Sequence, residues 1–215
     1  MNPLQPPSAK PTPTLLLLFG AGRHGRVVAD AALLENGWDR IVASDRDPAA
    51  CQQALLPGVA ILELELALGF HPEIHVAIGH NLSREREGIF LGVDRLVCVV
   101  HPAANVSPFS QRGSGCFIAA GAVVAPGARL GRGVIVNHGA VVDHDVRVGD
   151  FSHIAPNATL GGAVSVGRRV LIGAGAVVLP SMVVSDDVIV GAGAVVIHPL
   201  TAPGTYAGVP ARKIQ

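Results

Sequence analysis

A six-residue spacing of aliphatic residues constrains the second half of this chain more than any other feature of its sequence. From Ile118 to Val196, every sixth residue is Ile, Leu or Val. An α-helix repeats every ~3.6 residues and a strand every ~2, so neither regular element has this period. The period therefore predicts stacked repeats. The anchor positions are Ile118, Val124, Leu130, Val136, Val142, Val148, Ile154, Leu160, Val166, Ile172, Val178, Val184, Val190 and Val196.

Two other positions of each repeat are also restricted. The fourth residue after an anchor is small or apolar, from Ala122 to Leu200, and the third is often Gly, Asn or Asp, as in Gly121 and Asp145. These three residue types tolerate positive φ, which a sharp corner requires. Each repeat is predicted to form one short strand and one corner. Three repeats then make one coil of a triangular solenoid, and each coil is stabilised by its neighbours.

The chain before about residue 105 shows a different pattern, in which apolar runs alternate with segments of helical spacing. This alternation predicts a small, open, parallel α/β sheet of Rossmann-like type. The predicted strands are residues 15–19, 40–44, 74–78 and 96–100, and the predicted helices are 26–35, 63–68 and 83–91. We predict a loose Pro-rich tail at 1–13, the α/β domain at 14–104, the solenoid at 105–200 and a C-terminal tail at 201–215.

Charge balance and cysteine spacing exclude several classes of function. Lys plus Arg equals Asp plus Glu at 16 each, so no basic excess favours nucleic acid or an anionic membrane. Cys51, Cys98 and Cys116 lie far apart, which argues against a disulfide framework or a zinc knuckle. The apolar run 15–19 is too short for a signal-peptide core or a membrane span. We therefore expect a cytoplasmic protein with neither nucleic acid nor membrane as a partner.

A glycine-rich segment, Gly20 to Gly25, follows the first predicted strand and precedes a predicted helix. In this context such a segment binds phosphate, because a helix N-terminus offers free N–H donors and a partial positive charge. Asp45, twenty residues after Gly25, is placed to accept hydrogen bonds from a ribose or a base. A nicotinamide dinucleotide is disfavoured, because only about half of such a fold precedes the repeats. A purely structural tight turn is the alternative.

A histidine between two aspartates carries the candidate chemistry of the repeats. His144 lies two residues after anchor Val142, pointing outward, with Asp143 and Asp145 beside it. An imidazole of ordinary pKa, about 6.5, can remove a proton from an attacking amine or hydroxyl. A neighbouring carboxylate orients the ring and increases its basicity. The sequence predicts His144 as a general base with Asp145 as its partner; the alternative is an exposed histidine on a solenoid face.

The repeats resemble those of the hexapeptide-repeat acyltransferases. The stretches LLLLFGAGRHGRVVADAA, SDRD and AIGHNLSRER resemble the N-terminal domain of bacterial nucleotide-sugar N-acetyltransferases, to which sialic-acid O-acetyltransferases are related. The resemblance implies a left-handed parallel β-helix and a homotrimer with its sites in the grooves between prisms. It also implies acetyl transfer from acetyl-CoA to a nucleotide-linked 4-amino sugar, such as GDP-perosamine or a UDP-4-amino sugar, for O-antigen or other surface polysaccharides.

The same resemblance implies roles for individual residues. For the nucleotide sugar these are Gly22, Arg23, His24 and Gly25 at the phosphates, Asp45 at the base or ribose, and Gly79, His80 and Asn81 along the site. It also implies Asn137 as a substrate-binding residue, and His153 at the acetyl group or the amine. For coenzyme A they are His153, Gly162, Gly173, Ala174, Gly191, Ala192, Val209, Pro210 and Arg212. The family often has two acids where this chain has Ser44 and Asp45, which leaves the base open.

Other functions stay open from the sequence. O-acetylation of a sugar uses the same chemistry. A hexapeptide-repeat carbonic anhydrase would need His138, His144 and His153 as zinc ligands, although the nucleotide-type first domain and the GVPARKI ending argue against it. We therefore expect no bound metal. A non-catalytic solenoid subunit is the third alternative.

Overall fold

The computed structural model describes residues 14–47, 49–50 and 54–214. The predicted loose tail at 1–13 and Cys51 lie outside the described residues. The chain forms an N-terminal α/β unit followed by a triangular prism of short strands. Among the helices of the described residues, none has the length and hydropathy that a bilayer crossing requires.

The N-terminal unit is built around β1, whose apolar run lies at the centre of a sheet covered on both sides. Leu16 and Leu18 face helix α1, while Leu17 and Phe19 face the opposite layer, and all four are buried. A strand buried on both sides requires such a continuous apolar run. The elements are β1 (Leu15–Phe19), α1 (Arg23–Glu35), β2 (Arg40–Ser44), β3 (Ala54–Leu56), β4 (Val59–Ile61), α2 (Leu64–Leu68), β5 (Glu73–Val76) and α3 (Asn81–Leu91).

The sheet order is β3-β4-β2-β1-β5. Strands β1, β2, β4 and β5 are parallel, as the alternation of strands and helices predicts. The antiparallel pair of β3 and β4 was not predicted, and it makes the sheet mixed. The prediction that residues 96–100 form a strand of this sheet is wrong. Leu96 makes only an isolated bridge to Ile74, and the two residues that end the segment pair with the prism instead.

The prism consists of short strands that follow one another at intervals of about six residues. They are β6 (Val99–Val100), β7 (Asn105–Val106), β8 (Gln111–Arg112), β9 (Phe117–Ile118), β10 (Val123–Val124), β11 (Arg129–Leu130), β12 (Ile135–Val136), β13 (Val141–Val142), β14 (Arg147–Val148), β15 (His153–Ile154), β16 (Thr159–Leu160), β17 (Ser165–Val166), β18 (Leu171–Ile172), β19 (Val177–Val178), β20 (Val183–Val184), β21 (Val188–Val190), β22 (Val195–Val196), β23 (Gly204–Ala207) and β24 (Arg212–Lys213).

Three sheets form the faces of the prism. The first face contains β6, β9, β12, β15, β18, β21 and β23, with β24 antiparallel at its end. The second face runs from β7 to β22, and the third from β8 to β20. Strands that pair within a face are parallel and lie one coil apart, as in Val123 with Val141. Helix α1 packs on the first face, against outward side chains of β9 and β12 such as Phe117 and Ile135.

The interior of the prism is the predicted aliphatic core. Every anchor from Ile118 to Val196 is buried. Every sixth residue from Gly121 to Gly193 occupies a corner with positive φ, as predicted for the Gly, Asn and Asp positions. Four corners that carry other residue types have the same backbone conformation, because closing the coil demands it whatever the side chain. These are Phe151, Ala163, Arg169 and Ser181.

Candidate active site

The glycine-rich turn brings the N-terminus of α1 to the carboxyl ends of the parallel strands, where ligands bind in open α/β sheets. A side chain at Gly25 would collide with the Gly20 carbonyl, since its Cβ would lie 2.1 Å from that oxygen. Gly22, just before the helix, has open space around it, and the first turn of the helix carries no acidic residue. Asp45 fixes the turn, because it accepts hydrogen bonds from the backbone N–H of Ala21 (2.7 Å) and of Asp47 (3.1 Å).

A pocket of about 390 Å³ opens at this turn, and it contains Gly22, Arg23, His24 and Asp45 of the predicted set. Its buried carboxylate, Glu87, is neutralised by two arginines. Arg46 Nη2 lies 2.7 Å from Glu87 Oε2, and Arg86 Nη2 lies 2.9 Å from Oε1. Hydrogen bonding from Arg46 lowers the pKa of Glu87. Arg23 has no ion-pair partner in the described part of the chain, so the pocket favours an anion.

His24, which lines this pocket, lies 6.2 Å from a second predicted site histidine, His153, between ring centroids. His24 also packs edge-on against Phe117 at 5.5 Å. Burial lowers the pKa of His24 to about 3 and that of His153 to about 4, so both rings are neutral at pH 7. The His24 Nε2 atom is buried and has no hydrogen-bond partner among the described residues.

The side chain of Asn137 and the backbone of Gly79 both act on the His153 ring. The Nδ2 of Asn137 lies 3.0 Å from His153 Nε2, and the Oδ1 of Asn137 accepts the backbone N–H of His138. A hydrogen bond with the backbone of Gly79 raises the pKa of His153, against the effects of burial and of Arg84. Because the Oδ1 of Asn137 already accepts, its Nδ2 donates to His153 Nε2, and the proton of the neutral ring lies on Nδ1.

His80 and Asn81 start helix α3 and form the rim of a second cavity. The His80 ring accepts the N–H of Ser83 and caps the helix. Asn81 donates to the carbonyls of Arg169 and Val170 in the prism, each at 3.0 Å. The cavity measures about 420 Å³, contains His153 and shares Gly79 with the first pocket. The predicted residues of the AIGHN stretch therefore separate two adjoining spaces.

The candidate base His144 lies in the turn between β13 and β14, at the corner of the second and third faces. Its Nδ1 is 3.0 Å from Asp145 Oδ2, and its side chain is 62% exposed. Hydrogen bonding to Asp145, and then the charge of Asp143, raise the pKa of His144. A Cβ at Gly162, one coil later, would lie 2.5 Å from His144 Nε2. That nitrogen therefore faces the space that the glycine leaves open.

His144 and His153 of one chain do not meet. In a triangular prism, the corner of the second and third faces is opposite the first face, and His153 lies on the first face. The aliphatic core fills the space between them. Within one chain, Asn137 and His153 therefore come together, whereas His144 and Asp145 lie on the far side with Gly162.

The predicted coenzyme A residues are also divided between different corners of the prism. Gly173, Ala174, Gly191 and Ala192 follow β18 and β21, so they lie at the corner of the first and second faces, in line with Asn137. Gly173 packs so closely that a Cβ would lie 2.6 Å from the backbone nitrogen of Ala192.

The predicted residues of the chain ending lie at the last coil of the prism. Val209 and Pro210 form the turn between β23 and β24, with Val209 well exposed. Arg212 is exposed on β24. One of its guanidinium nitrogens donates to the carbonyl of Ala211 at 3.3 Å. The rest of the guanidinium has no ion-pair partner in the part of the chain that the structure describes.

Three buried residues escaped the sequence analysis. Arg84 and Glu87 lie on α3, and Phe151 fills a corner against Gly88. A charged residue in a short helix is usually exposed, so nothing in the local pattern marks Arg84 or Glu87 as buried. Phe151 stands at a corner position where the repeat favours Gly, and that departure was the available signal. No group of three potential metal ligands clusters among the described residues.

Two family models match the chain. The PglD N-terminal domain covers residues 15–87, and the bacterial transferase hexapeptide (six repeats) covers residues 127–162 and 145–180. A comparison with curated proteins found no match. These matches cover both structural units: the α/β sheet with its glycine-rich turn, and the prism.

Solved structures match nearly the whole chain. The acetyltransferase domain of PglB from Neisseria gonorrhoeae, in complex with acetyl coenzyme A, is 34% identical with a TM-score of 0.85, over 94% of this chain and 100% of that one. PerB from Caulobacter crescentus, in complex with CoA and GDP-perosamine, is 35% identical with a TM-score of 0.84, over 93% of this chain and 97% of that one. WeeI from Acinetobacter baumannii, 19% identical with a TM-score of 0.63 over 94% of this chain and 100% of that one, shows the fold alone. With its left-handed parallel β-helix and its α/β unit, the chain belongs to the nucleotide-sugar N-acetyltransferases of the hexapeptide-repeat superfamily.

Proposed function

We propose that this acetyltransferase moves the acetyl group of acetyl-CoA to the amino group of a nucleotide-linked 4-amino sugar, in the cytoplasm, with His144 as the general base. The observation that carries the proposal is the exposed His144–Asp145 pair, whose free Nε2 faces the open space at Gly162. The relatives support the substrates: the PglB domain was solved with acetyl coenzyme A, and PerB with CoA and GDP-perosamine.

In the proposed reaction the sugar nitrogen attacks the thioester carbonyl carbon directly. A C–N bond forms while His144 Nε2 takes the proton of the amine, and the C–S bond then breaks. The coenzyme A sulfur leaves with the proton that the imidazolium returns. Asp145 holds the Nδ1 proton and stabilises the imidazolium. The N–H of Gly162, which has no partner among the backbone hydrogen bonds of the described residues, is the candidate donor to the oxyanion.

The nucleotide sugar fits the pocket at the glycine-rich turn. Its diphosphate would meet Gly22, Arg23 and the N-terminus of α1, where an anion is favoured. Asp45 keeps lone pairs free for a ribose or a base, since each of its oxygens accepts only one hydrogen bond. The sugar would then extend past Gly79 toward His153. GDP-perosamine and UDP-4-amino sugars are the two classes of acetyl acceptor to compare.

We further propose that the active site is shared between copies in a homotrimer. His144 and Gly162 lie at one corner of the prism, while Asn137, Gly173 and Gly191 lie at another. A head-to-tail ring, which is a closed cyclic assembly, brings the corner that carries His144 in each copy to the corner that carries Asn137 in the next. Acetyl-CoA would lie in the groove between them, and the exposed Arg212 is available to its phosphates.

The experiment is a panel of GDP-, UDP- and dTDP-linked 4-amino sugars with acetyl-CoA, in which release of the free thiol is followed. We expect turnover with at least one amino sugar. We also expect a fall of at least about 100-fold in His144→Ala, since general bases contribute at least that much. Near-full activity in this variant would exclude His144 as the base.

The remaining functions are tested beside this panel. Turnover only of added sugars that carry no amino group would assign O-acetylation. Stoichiometric zinc in the purified protein without acetyl-CoA binding would assign a carbonic anhydrase instead. An absence of both turnover and acetyl-CoA binding would favour a non-catalytic subunit.

A further inference from the structure

Arg84 is a buried cation without a carboxylate partner among the described residues. It lies on α3, its side chain is 1% exposed, and burial lowers its pKa only to about 9, so it is charged at neutral pH. Its donors reach carbonyl groups instead. Arg84 Nε donates to Gly133 (2.8 Å), Nη1 to Ile78 (3.0 Å) and Gly79 (2.9 Å), and Nη2 to Asn81 Oδ1 (2.9 Å), Phe151 (2.7 Å) and Ser152 (3.3 Å).

Apart from Gly133, these hydrogen-bond acceptors belong to the two segments that form the proposed sugar site. Residues 78–81 separate the nucleotide pocket from the second cavity. Phe151 and Ser152 come directly before His153 along the chain. The backbone of Gly79 also takes part in the hydrogen bond with the His153 ring. One guanidinium group therefore connects the loop beside the nucleotide to the imidazole beside the sugar.

The burial of this charge needs a reason beyond joining two units. Burying an ion without a counter-ion is costly, and an apolar side chain of similar size is often as stable in such a place. The next residue, Glu85, already joins α3 to the prism through Arg168 (2.7 Å) and Arg169 (3.3 Å). A second link one residue away is not needed for attachment alone.

The charge of Arg84 also acts on its surroundings. After burial, it is the largest cause that lowers the pKa of His153. The other titratable groups around this ring are His24 and, across the second cavity, His80 and the ion pair of Arg169 with Asp187. A cation at this place keeps His153 neutral, which leaves Nε2 free to accept a hydrogen bond.

We propose that Arg84 is a positioning residue that holds the loop Gly79–Asn81 and the His153 imidazole in one fixed arrangement, with the ring proton on Nδ1. The proposal rests on the proposed function only through the contact of His153 with the substrate. Arg84 itself lines neither of the two cavities. It acts through the carbonyl of Gly79 and through the backbone that precedes His153.

The first test uses the unaltered full chain. Nitrogen-15 NMR of labelled histidine, with assignment from His153→Asn, reports the ring tautomer and its titration. We expect the His153 proton on Nδ1, with no titration down to about pH 5, because the pKa is about 4. A proton on Nε2, or titration near the ordinary value of about 6.5, would overturn the proposal. This readout needs neither turnover nor a variant of Arg84.

The second test compares Arg84→Lys with the control Glu85→Gln. Lysine keeps the positive charge, but its single ammonium group cannot donate to both segments as the planar guanidinium does. We expect kcat/KM for the nucleotide sugar to fall at least about tenfold in Arg84→Lys, since small displacements of reacting groups cost that much or more. The KM for acetyl-CoA should change less than about twofold, and the His153 signal should show mixed tautomers. Glu85→Gln should change none of these.

Equal losses in the two variants would mean that Arg84 only attaches the units, and the positioning role would be wrong. An unchanged His153 signal in Arg84→Lys would also contradict it. If the unaltered enzyme turns over no amino sugar, the proposed function fails. The His153 NMR signal, compared between the unaltered chain and Arg84→Lys, then still decides whether Arg84 sets the state of His153.

Discussion

At His144, two carboxylates act in different ways. Asp145 accepts a hydrogen bond at Nδ1, whereas Asp143 accepts the backbone N–H of His144 and acts on the ring by charge. Both raise the pKa of the ring, so its protonated form persists to higher pH. In the proposed mechanism only neutral His144 accepts a proton, so we expect activity to be lost as the pH falls through this raised pKa.

Replacing Asp145 should therefore move the pH profile of the enzyme. In Asp145→Asn, we expect the acidic limb of the pH profile of kcat to shift to lower pH. The neutral amide stabilises the protonated His144 ring less than the carboxylate does, so the pKa of the ring falls. The plateau should also fall, since the ring becomes a weaker and less well oriented base. Asp143→Asn is the control, with a smaller shift in the same direction and a plateau near that of the unaltered enzyme. An unmoved limb in Asp145→Asn would contradict His144 as the titrating base.

Gly162 provides a second test at the residue scale. In Gly162→Ala the new methyl group would lie within 3 Å of two atoms of the His144 ring, with its nearest approach 2.5 Å to Nε2. The ring is exposed and can turn away, so we expect kcat to fall at least about tenfold while the unfolding temperature changes little. Gly37→Ala is the control, because nothing lies within 4 Å of its added Cβ. Unchanged kcat in Gly162→Ala would show that Nε2 does not need this space.

At the scale of the element, most strands of the prism have only two residues, so none is stable alone. Each strand is held by hydrogen bonds to the strands one coil before and after it, as β13 is held by β10 and β16. The anchors supply the apolar contacts along the axis. The rigidity of the corner that carries His144 therefore depends on the whole stack.

A truncated anchor should destabilise the stack far more than an outward residue of the same type. Ile172 is fully buried in the middle of the prism, while Ile197 is 36% exposed. We expect Ile172→Ala to lower the free energy of unfolding by about 2–5 kcal/mol, the usual cost of truncating a buried aliphatic residue. Ile197→Ala should cost less than about 1 kcal/mol. Urea unfolding at one fixed protein concentration checks this, and equal costs would contradict the packing of the prism.

At the scale of the whole molecule, the prism separates the two histidines of the proposed reaction. The α/β unit covers part of the first face, where His153 lies, and His144 occupies the opposite corner. In the proposed reaction, one chain would therefore carry two half-sites that point away from each other. A cyclic assembly would join the half-sites of neighbouring copies.

Mixing two inactive variants tests this arrangement. We expect His144→Ala and His153→Ala, each poorly active alone, to regain about a quarter of the normal activity when co-expressed in equal amounts. In a random head-to-tail ring, about one interface in four combines an intact His144 with an intact His153. Co-expression of His144→Ala with His144→Gln is the control and should regain nothing. No recovery in the first mixture would mean that each chain works alone.

Much of the fold is determined by the sequence itself. Aliphatic residues at every sixth position have no other regular arrangement in which all are buried, so they determine the prism and the outward direction of His144. The apolar run of β1 and the glycine-rich turn after it determine a nucleotide-type sheet. In both cases the signal is local or periodic, and the backbone geometry of one repeat or one turn is enough to produce it.

Only the tertiary structure decided the rest. The positive φ of Phe151 follows from closure of its coil, and the burial of Arg84 follows from the docking of α3 on the prism. The pairing of Val99 and Val100 with β9, instead of the first sheet, depends on where the first coil begins. The separation of His144 from His153, nine residues apart in sequence, depends on which face each strand joins. These features arise from contacts between distant segments, which no local pattern of residues encodes.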